Sequence, residues 1–248
     1  MREKKDSLYL SNNPKSKDKL RLFCFPYAGG GSSVFRKWTN MFPSDVGVYP
    51  IQYPGRENRI GEKPIKKMED LIEKIYDSIK DYLKDVPFVF FGHSLGTKII
   101  YELTLKIERE LNIKPKALIV SAGRAPFYLE SKPIYHLKDD EFVKELKRFS
   151  GTPKEILSNK DLMKIFIPML RADFQIDETY IKKNLEKLDV PILGFMGTKD
   201  EEMTLKELKD WEKVTKKTFK YEMIEGGHLF INTNKESVIS SITKYLRV

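Results

Sequence analysis

Three polar residues of this chain could together carry out hydrolysis with a serine nucleophile. Their side chains are of the required types, and they follow one another along the sequence in the required order. Ser94 lies in Gly-His-Ser-Leu-Gly, Asp200 ends the segment PILGFMGTKD, and His228 follows two glycines in EMIEGGHLFI. A serine hydroxyl becomes a nucleophile when a histidine accepts its proton and a carboxylate orients the imidazole. In hydrolases with a G-x-S-x-G turn, the triad follows the chain order serine, acid, histidine. We therefore predict a catalytic triad of Ser94, Asp200 and His228.

The general base has to be chosen from three histidines, His93, His136 and His228. His93 precedes Ser94 directly, and in a sharp turn that position points away from the nucleophile. His136 stands ahead of LKDDEF in a helical region, where a structural role is expected. His228 follows a predicted strand, at the edge of the sheet where the turn at Ser94 also opens.

Asp200 is the acid that the predicted strands favour. It comes directly after the fifth strand, and the 28 residues from Asp200 to His228 leave room for one helix, one strand and the histidine loop. Asp210 is the second candidate, but it lies within the helical pattern 204–215. Asp189 precedes the fifth strand and so belongs to the opposite edge of the sheet.

The turn at Ser94 also predicts where an oxyanion would be held. Gly92 and Gly96 remove the side chains that would collide in a turn between a strand and a helix. The backbone N–H of Leu95, at the start of that helix, can donate to an oxyanion. The glycine-rich loop FPYAGGGS (25–32) follows the first strand, and we expect Ala28 to supply the second N–H.

A phosphate-binding loop is the alternative interpretation of FPYAGGGS, because a helix is predicted at 32–42. The Walker pattern requires Gly-Lys-Ser/Thr and the dinucleotide pattern requires G-x-G-x-x-G. Neither occurs here, and we expect no cofactor and no metal site.

Apolar strands alternating with amphipathic helices predict an α/β fold with a mostly parallel sheet covered on both faces. The predicted strands are 19–25, 47–53, 87–92, 116–122, 191–197 and 219–224, and the clearest helices are 68–83 and 97–111. We expect a polar N-terminal tail over 1–18 and one domain over 19–248. No strand is predicted between about 124 and 189, which indicates a helical insertion that could form a lid.

Composition limits the function classes. The 248 residues carry 45 Lys and Arg against 36 Asp and Glu, a net charge of +9, but the charges alternate along helices as they do on solvated surfaces. No nucleic-acid-binding motif, membrane span or signal peptide is recognisable. The single cysteine, Cys24, rules out an internal disulfide, and we expect a monomer in the cytoplasm.

Several motifs resemble those of the type II thioesterases that accompany nonribosomal peptide and polyketide synthases, and of their relatives in fatty acid synthesis. The resemblance runs from about residue 19 to the C-terminus and depends on LFCFPYAGGGSSVFRKW, IQYPGREN, FGHSLGTKIIYEL, SAGRAP, HLKDDEFVKEL, GTPKEIL, MLRADFQIDETY and GGHLFIN. The PGRE and LRADF segments are more specific to this family than the serine turn, which all α/β-hydrolases share.

The resemblance implies an α/β-hydrolase fold and hydrolysis of acyl or aminoacyl thioesters held on the phosphopantetheine arm of a carrier protein. It places the nucleophile at Ser94, the acid at Asp200, the base at His228 and the oxyanion amides at Ala28 and Leu95. The insertion would meet the carrier protein and shape the acyl pocket. A carboxylesterase or an acyltransferase would use the same triad, and both alternatives stay open from the sequence.

Overall fold

The computed structural model describes residues 9–149 and 157–248, and it contains one six-stranded parallel sheet. The strand order is β2-β1-β3-β4-β5-β6. The strands are β1 (Leu20–Phe25), β2 (Val46–Pro50), β3 (Phe88–His93), β4 (Leu118–Ser121), β5 (Ile192–Gly197) and β6 (Phe219–Ile224). Because all six run in the same direction, the loops after their carboxyl ends meet at one edge.

Helices connect the strands, which confirms the predicted α/β fold class. They are α1 (Met68–Ile79), α2 (Leu95–Leu111), α3 (Asp139–Leu146), α4 (Lys160–Thr179), α5 (Leu205–Lys209), α6 (Phe230–Thr233) and α7 (Lys235–Leu246). Short 3-10 turns cover Ser32–Phe35, Trp38–Asn40, Glu57–Arg59, Lys80–Tyr82, Lys147–Phe149 and Asp210–Val214. In the part of the chain that the structure describes, none of these helices could cross a membrane.

The burial of each strand explains why it could be recognised in the sequence as an apolar run. Strands β1, β3, β4 and β5 are buried along their whole length, so both of their faces had to be apolar. Strand β6 is one of the two edge strands and is mostly exposed. The helix expected at 32–42 was wrong, because the chain forms two separate 3-10 turns there.

Residues 9–18 are not a free polar tail in the structure. Tyr9 and Leu10 are buried in the main core, and Leu10 forms an antiparallel bridge with Ile51, just beyond β2. The backbone N–H of Gln52 donates to the Tyr9 carbonyl at 2.8 Å. Tyr9 and Leu10 belong to the short apolar run Leu8-Tyr9-Leu10 of an otherwise polar sequence, and the overall polarity of the segment concealed it. Residues 1–8 of the predicted tail lie outside the described residues.

The segment expected to be a helical insertion contains α3 and α4, and its described part contains no strand. It has its own apolar cluster, separate from the main core, formed by Ile134, Phe142, Leu146, Met163, Met169, Leu170 and Phe174. Helix α4 continues through Pro168. The predicted turn at Gly151-Thr152-Pro153 lies outside the described residues, and the lid role stays a prediction.

We predict that Leu10→Ala lowers the free energy of unfolding by about 2 kcal/mol or more, the cost of deleting a buried leucine side chain. Urea denaturation of the full chain measures this. The matched control is Lys17→Ala, an exposed residue of the same segment, which should change stability by less than about 0.5 kcal/mol. Equal, small effects of the two substitutions would show that residues 9–10 do not belong to the core.

Candidate active site

Ser94 occupies a sharp turn between β3 and α2. Its backbone has φ 52° and ψ −116°, a conformation that costs a non-glycine residue about 1–3 kcal/mol. The turn is possible because a β-carbon at Gly92 would overlap the Gly96 backbone, and one at Gly96 would overlap the Phe25 carbonyl. The Ser94 N–H donates to the Ser121 carbonyl at 2.8 Å, which fixes the turn to the end of β4.

The three side chains of the predicted triad meet above this turn. His228 Nε2 lies 3.1 Å from Ser94 Oγ. On the other side of the ring, His228 Nδ1 lies 2.9 Å from Asp200 Oδ2 and 3.1 Å from Oδ1. The Asp200 side chain is fully buried, whereas that of His228 is 15% exposed. This arrangement allows Ser94 to pass its proton to His228 while Asp200 stabilises the resulting imidazolium.

The loops that hold Asp200 and His228 are bonded to each other. The N–H of Lys199 donates to the Gly226 carbonyl, and that of Thr198 to the Ile224 carbonyl, both at 2.8 Å. Gly226 has φ +126°, a conformation open mainly to glycine. The N–H of Glu202 also donates to Asp200 Oδ1 at 2.9 Å, which orients the carboxylate.

His93 supports the histidine loop from below. Its side chain is fully buried, with Nδ1 2.8 Å from Ser121 Oγ and Nε2 2.9 Å from the His228 carbonyl oxygen. A carbonyl can only accept, so Nε2 carries the proton and Ser121 donates to Nδ1. Burial, with a smaller contribution from His228, holds the pKa of His93 well below its usual value. The sequence assigned His93 no catalytic role, and the structure gives it a positioning one.

The two residues expected to hold an oxyanion lie on adjacent segments at the carboxyl edge. Ala28 is in the loop after β1, which pairs with β3, and Leu95 is the first residue of α2. Among the described residues, neither of their backbone N–H groups donates to a protein acceptor. Both amides therefore have the capacity to bind an oxyanion, and their catalytic role stays a prediction. His136, by contrast, is exposed in the insertion.

A buried ion pair that the sequence did not predict fixes the loop after β1. Arg56 Nη1 and Nη2 donate to Asp173 Oδ2 and Oδ1 at 2.5 and 2.7 Å, and each side chain is about 95% buried. Asp173 Oδ2 also accepts the Gly29 N–H at 2.7 Å, and Arg56 Nη1 donates to the Gly30 carbonyl at 3.1 Å. Gly29 itself has φ +81°.

This pair joins three parts of the chain, namely the loop of Arg56, helix α4 of the insertion and the loop that contains Ala28. The sequence had drawn attention to both residues only as parts of the PGRE and LRADF segments. No periodicity or spacing links Arg56 to Asp173. The only signal in the sequence was that each of the two segments contains a charged residue. That signal does not show that Arg56 and Asp173 pair with each other.

Comparisons with known proteins show the family of the chain. The family model described as "Thioesterase domain" matches residues 20–246. The gramicidin S biosynthesis protein GrsT of Aneurinibacillus migulanus is 39% identical over 241 residues, covering 97% of this chain and 94% of GrsT.

Solved structures are also similar. ClbQ from the colibactin NRPS/PKS pathway has a TM-score of 0.87 at 27% identity, covering 93% of this chain and 98% of ClbQ. The thioesterase RedJ from the prodiginine pathway of Streptomyces coelicolor has a TM-score of 0.86 at 29% identity, covering 92% and 90%. The predicted α/β-hydrolase fold is confirmed by these neighbours.

We predict that Asp173→Asn lowers kcat for an activated ester by about tenfold or more while KM changes little, because the loop that contains Ala28, the expected oxyanion donor, loses its anchor. It should also destabilise the fold by about 3 kcal/mol, because Arg56 is left buried without a counter-charge. Steady-state kinetics and denaturant unfolding measure the two effects.

The matched control is Asp77→Asn, which breaks the exposed pair of Asp77 with Lys80 and should cost less than about 1 kcal/mol without changing kcat. A folded Asp173→Asn protein with the kcat of the unchanged chain would contradict the expected role of the loop that contains Ala28 in holding the oxyanion.

A second prediction concerns pH. Because the pKa of His93 is lowered in the folded state, the unfolded chain binds the proton more readily, and stability is lost as pH falls below about 6.5. His93→Gln removes this group. Between pH 7.5 and 5.5, the unfolding free energy of the variant should therefore fall less steeply than that of the unchanged chain, and the two slopes should differ by up to about 1.4 kcal/mol per pH unit. Parallel slopes for the two proteins would mean that His93 does not titrate differently on folding.

Proposed function

The chain belongs to the thioesterase domain family, and we propose that it removes acyl or aminoacyl groups from the phosphopantetheine arms of carrier proteins. The enzyme is a hydrolase acting on thioesters. The observation that carries the proposal is the contact of His228 Nε2 with Ser94 Oγ at 3.1 Å, in a chain that matches the family over residues 20–246.

The first half-reaction uses each group in its observed place. Ser94 Oγ attacks the thioester carbonyl as His228 accepts the hydroxyl proton, and Asp200 stabilises the imidazolium. The carbonyl oxygen becomes negative and is held by the N–H groups of Ala28 and Leu95. The carbon–sulfur bond then breaks, and the pantetheine sulfur receives the proton from His228.

In the second half-reaction, His228 takes a proton from water, and the hydroxide formed attacks the acyl-serine. The carboxylic acid leaves and Ser94 recovers its proton. A thiol with a pKa near ~8.5 departs more easily than an amine, so the same site cleaves thioesters and activated esters in preference to amides.

The relatives support a carrier protein as the partner. ClbQ is named for an NRPS/PKS pathway and GrsT for gramicidin S biosynthesis. An acidic carrier protein would also be attracted by the net charge of +9, although that charge is spread along solvated helices. Cys24 is buried, which suits a reducing cytoplasm, and we propose that the protein acts there as a monomer.

The experiment compares hydrolysis of an acyl-loaded carrier protein, the corresponding acyl-CoA and a nitrophenyl ester. We expect the loaded carrier protein to have the highest kcat/KM, and Ser94→Ala to lower the rate by at least about 10³-fold on every substrate, because the nucleophile is lost.

The control is Ser33→Ala, an exposed serine outside the site, which should leave every rate unchanged. Rapid ester cleavage with no hydrolysis of the loaded carrier protein would favour a carboxylesterase and overturn the proposal. Transfer of the acyl group to an added amine or alcohol in place of water would identify an acyltransferase.

A further inference from the structure

The loop after β4 has a fixed backbone beside the active site. Ala122 has φ 49°, a strained conformation for a residue other than glycine, and its N–H donates to the Phe195 carbonyl of β5 at 2.9 Å. The carbonyl of Gly123 accepts from Trp211 Nε1 at 2.7 Å. The next residue, Arg124, therefore projects its side chain from a backbone that is held on both sides.

The Arg124 guanidinium contacts three acceptors through three different nitrogen atoms. Nη2 donates to the Glu202 carbonyl at 2.5 Å and Nη1 to Glu130 Oε2 at 2.7 Å. The third nitrogen, Nε, lies 3.2 Å from Glu207 Oε1. A guanidinium spreads its donors over three nitrogens in a rigid plane, whereas a lysine has a single nitrogen. Arg124 thus joins the loop after β4 to three other segments.

One of these acceptors belongs to the residue that orients the catalytic acid. The N–H of Glu202 donates to Asp200 Oδ1 at 2.9 Å, and the carbonyl of the same residue accepts from Arg124. Asp200 Oδ2 in turn lies 2.9 Å from His228 Nδ1. A chain of hydrogen bonds therefore runs from Arg124, through the Glu202 backbone and Asp200, to the general base.

The other two acceptors of Arg124 lie in the next helix and in the segment that leads into the insertion. Glu207 is on the first turn of α5, where its side chain closes a capping box with Thr204. Glu130 lies between β4 and α3, and its Oε1 accepts the N–H of Lys132 at 2.9 Å. Arg124 thus fixes the loop of Asp200 relative to the helix that follows it.

We propose that Arg124 is a positioning residue for the catalytic acid. It holds the Glu202 backbone so that Asp200 keeps the His228 ring in the orientation that proton transfer requires. Arg124 acts through Glu202 and takes no part in bond making or breaking. The inference rests on the triad of the proposed function but not on the carrier protein, so a nitrophenyl ester is a sufficient substrate.

The test is Arg124→Lys, which keeps the positive charge near Glu130 and Glu207 but offers one nitrogen to three separate acceptors. We expect kcat for the ester to fall about tenfold to a hundredfold with little change in KM, because a small misplacement of a catalytic group has an effect of this size. Asp200→Asn sets the upper limit, with an expected loss of at least about 10³-fold.

Proton NMR supplies a measurement that a general loss of stability would not change. The Nδ1 proton of His228, shared with the Asp200 carboxylate, gives a low-field signal that is assigned by its absence from His228→Gln. In Arg124→Lys we expect this signal to move upfield or to disappear through exchange with water. Circular dichroism verifies that the variant is folded under the conditions of the measurement.

The matched control is Arg21→Lys. Arg21 lies near the amino end of β1, at the opposite edge of the sheet from Ser94, and its side chain is more deeply buried than that of Arg124. It also donates to a backbone carbonyl, that of Tyr82, at 2.6 Å. Its substitution should lower thermal stability at least as much as Arg124→Lys does, while kcat and the low-field signal stay unchanged.

A second variant, Glu207→Gln, weakens the hold on Arg124 from the side of α5. Glutamine has one acceptor oxygen, and the capping box with Thr204 uses it, so the helix start is kept and the contact with Arg124 is lost. We expect a smaller fall in kcat, about threefold, with the low-field signal moving in the same direction.

The outcomes separate this inference from the triad on which it rests. The inference would be overturned by a folded Arg124→Lys protein with unchanged kcat, by a loss of kcat with an unchanged low-field signal, or by an equal loss of kcat in Arg21→Lys. If Arg124→Lys does not fold, Glu207→Gln decides by the same criteria. Full esterase activity in Ser94→Ala or Asp200→Asn would instead overturn the triad.

Discussion

The close approach of three backbone segments around Ser94 is the constraint on which the rest of the site depends. Gly96 packs directly on the carbonyl of Phe25 at the end of β1, and Gly92 on the backbone of Gly96. These contacts hold Ser94 in its strained conformation and bring the loop after β1 beside the first turn of α2. A side chain at either glycine would displace the first turn of α2 from the strands beneath it, and with it Leu95, a proposed oxyanion donor. The burial of β1 and β3 offsets the free-energy cost of this strain.

Polar contacts then extend this arrangement across the carboxyl edge of the sheet. His93 and Ser121 connect the strands under Ser94 to the loop of His228. On the opposite side, Asp173 and Arg56 connect the loop after β1 to α4 of the insertion. The position of α4 is thereby tied to the loop that contains Ala28, and Asp177 of the same helix pairs with the buried Lys98 on the first turn of α2. Helix α4 is thus held to the loop after β1 and to the helix that begins at the nucleophile turn.

The sequence was sufficient for the features that follow from periodicity and chain order. Buried parallel strands are continuous apolar runs, so their positions were visible, and the residues that end them, among them Asp200 and His228, could be placed at one edge. Features that depend on distant residues were not accessible. The pairing of Arg56 with Asp173, 117 residues apart, and of Lys98 with Asp177 arises only when the insertion folds against the sheet. Tyr9 and Leu10 were assigned to a polar tail because one run of three apolar residues in a polar segment carries no periodic signal.

The central claim is that Ser94 itself receives the acyl group from the carrier-bound thioester. Rapid acid quenching of the enzyme mixed with an acetyl-loaded carrier protein, followed by peptide mass spectrometry, tests it most directly. The account predicts an added mass of one acetyl group on the peptide that contains Ser94, decaying as free acetate appears. Release of acetate at the full rate with the acetyl group on another residue, or with no acyl-enzyme formed at any time point, would contradict it.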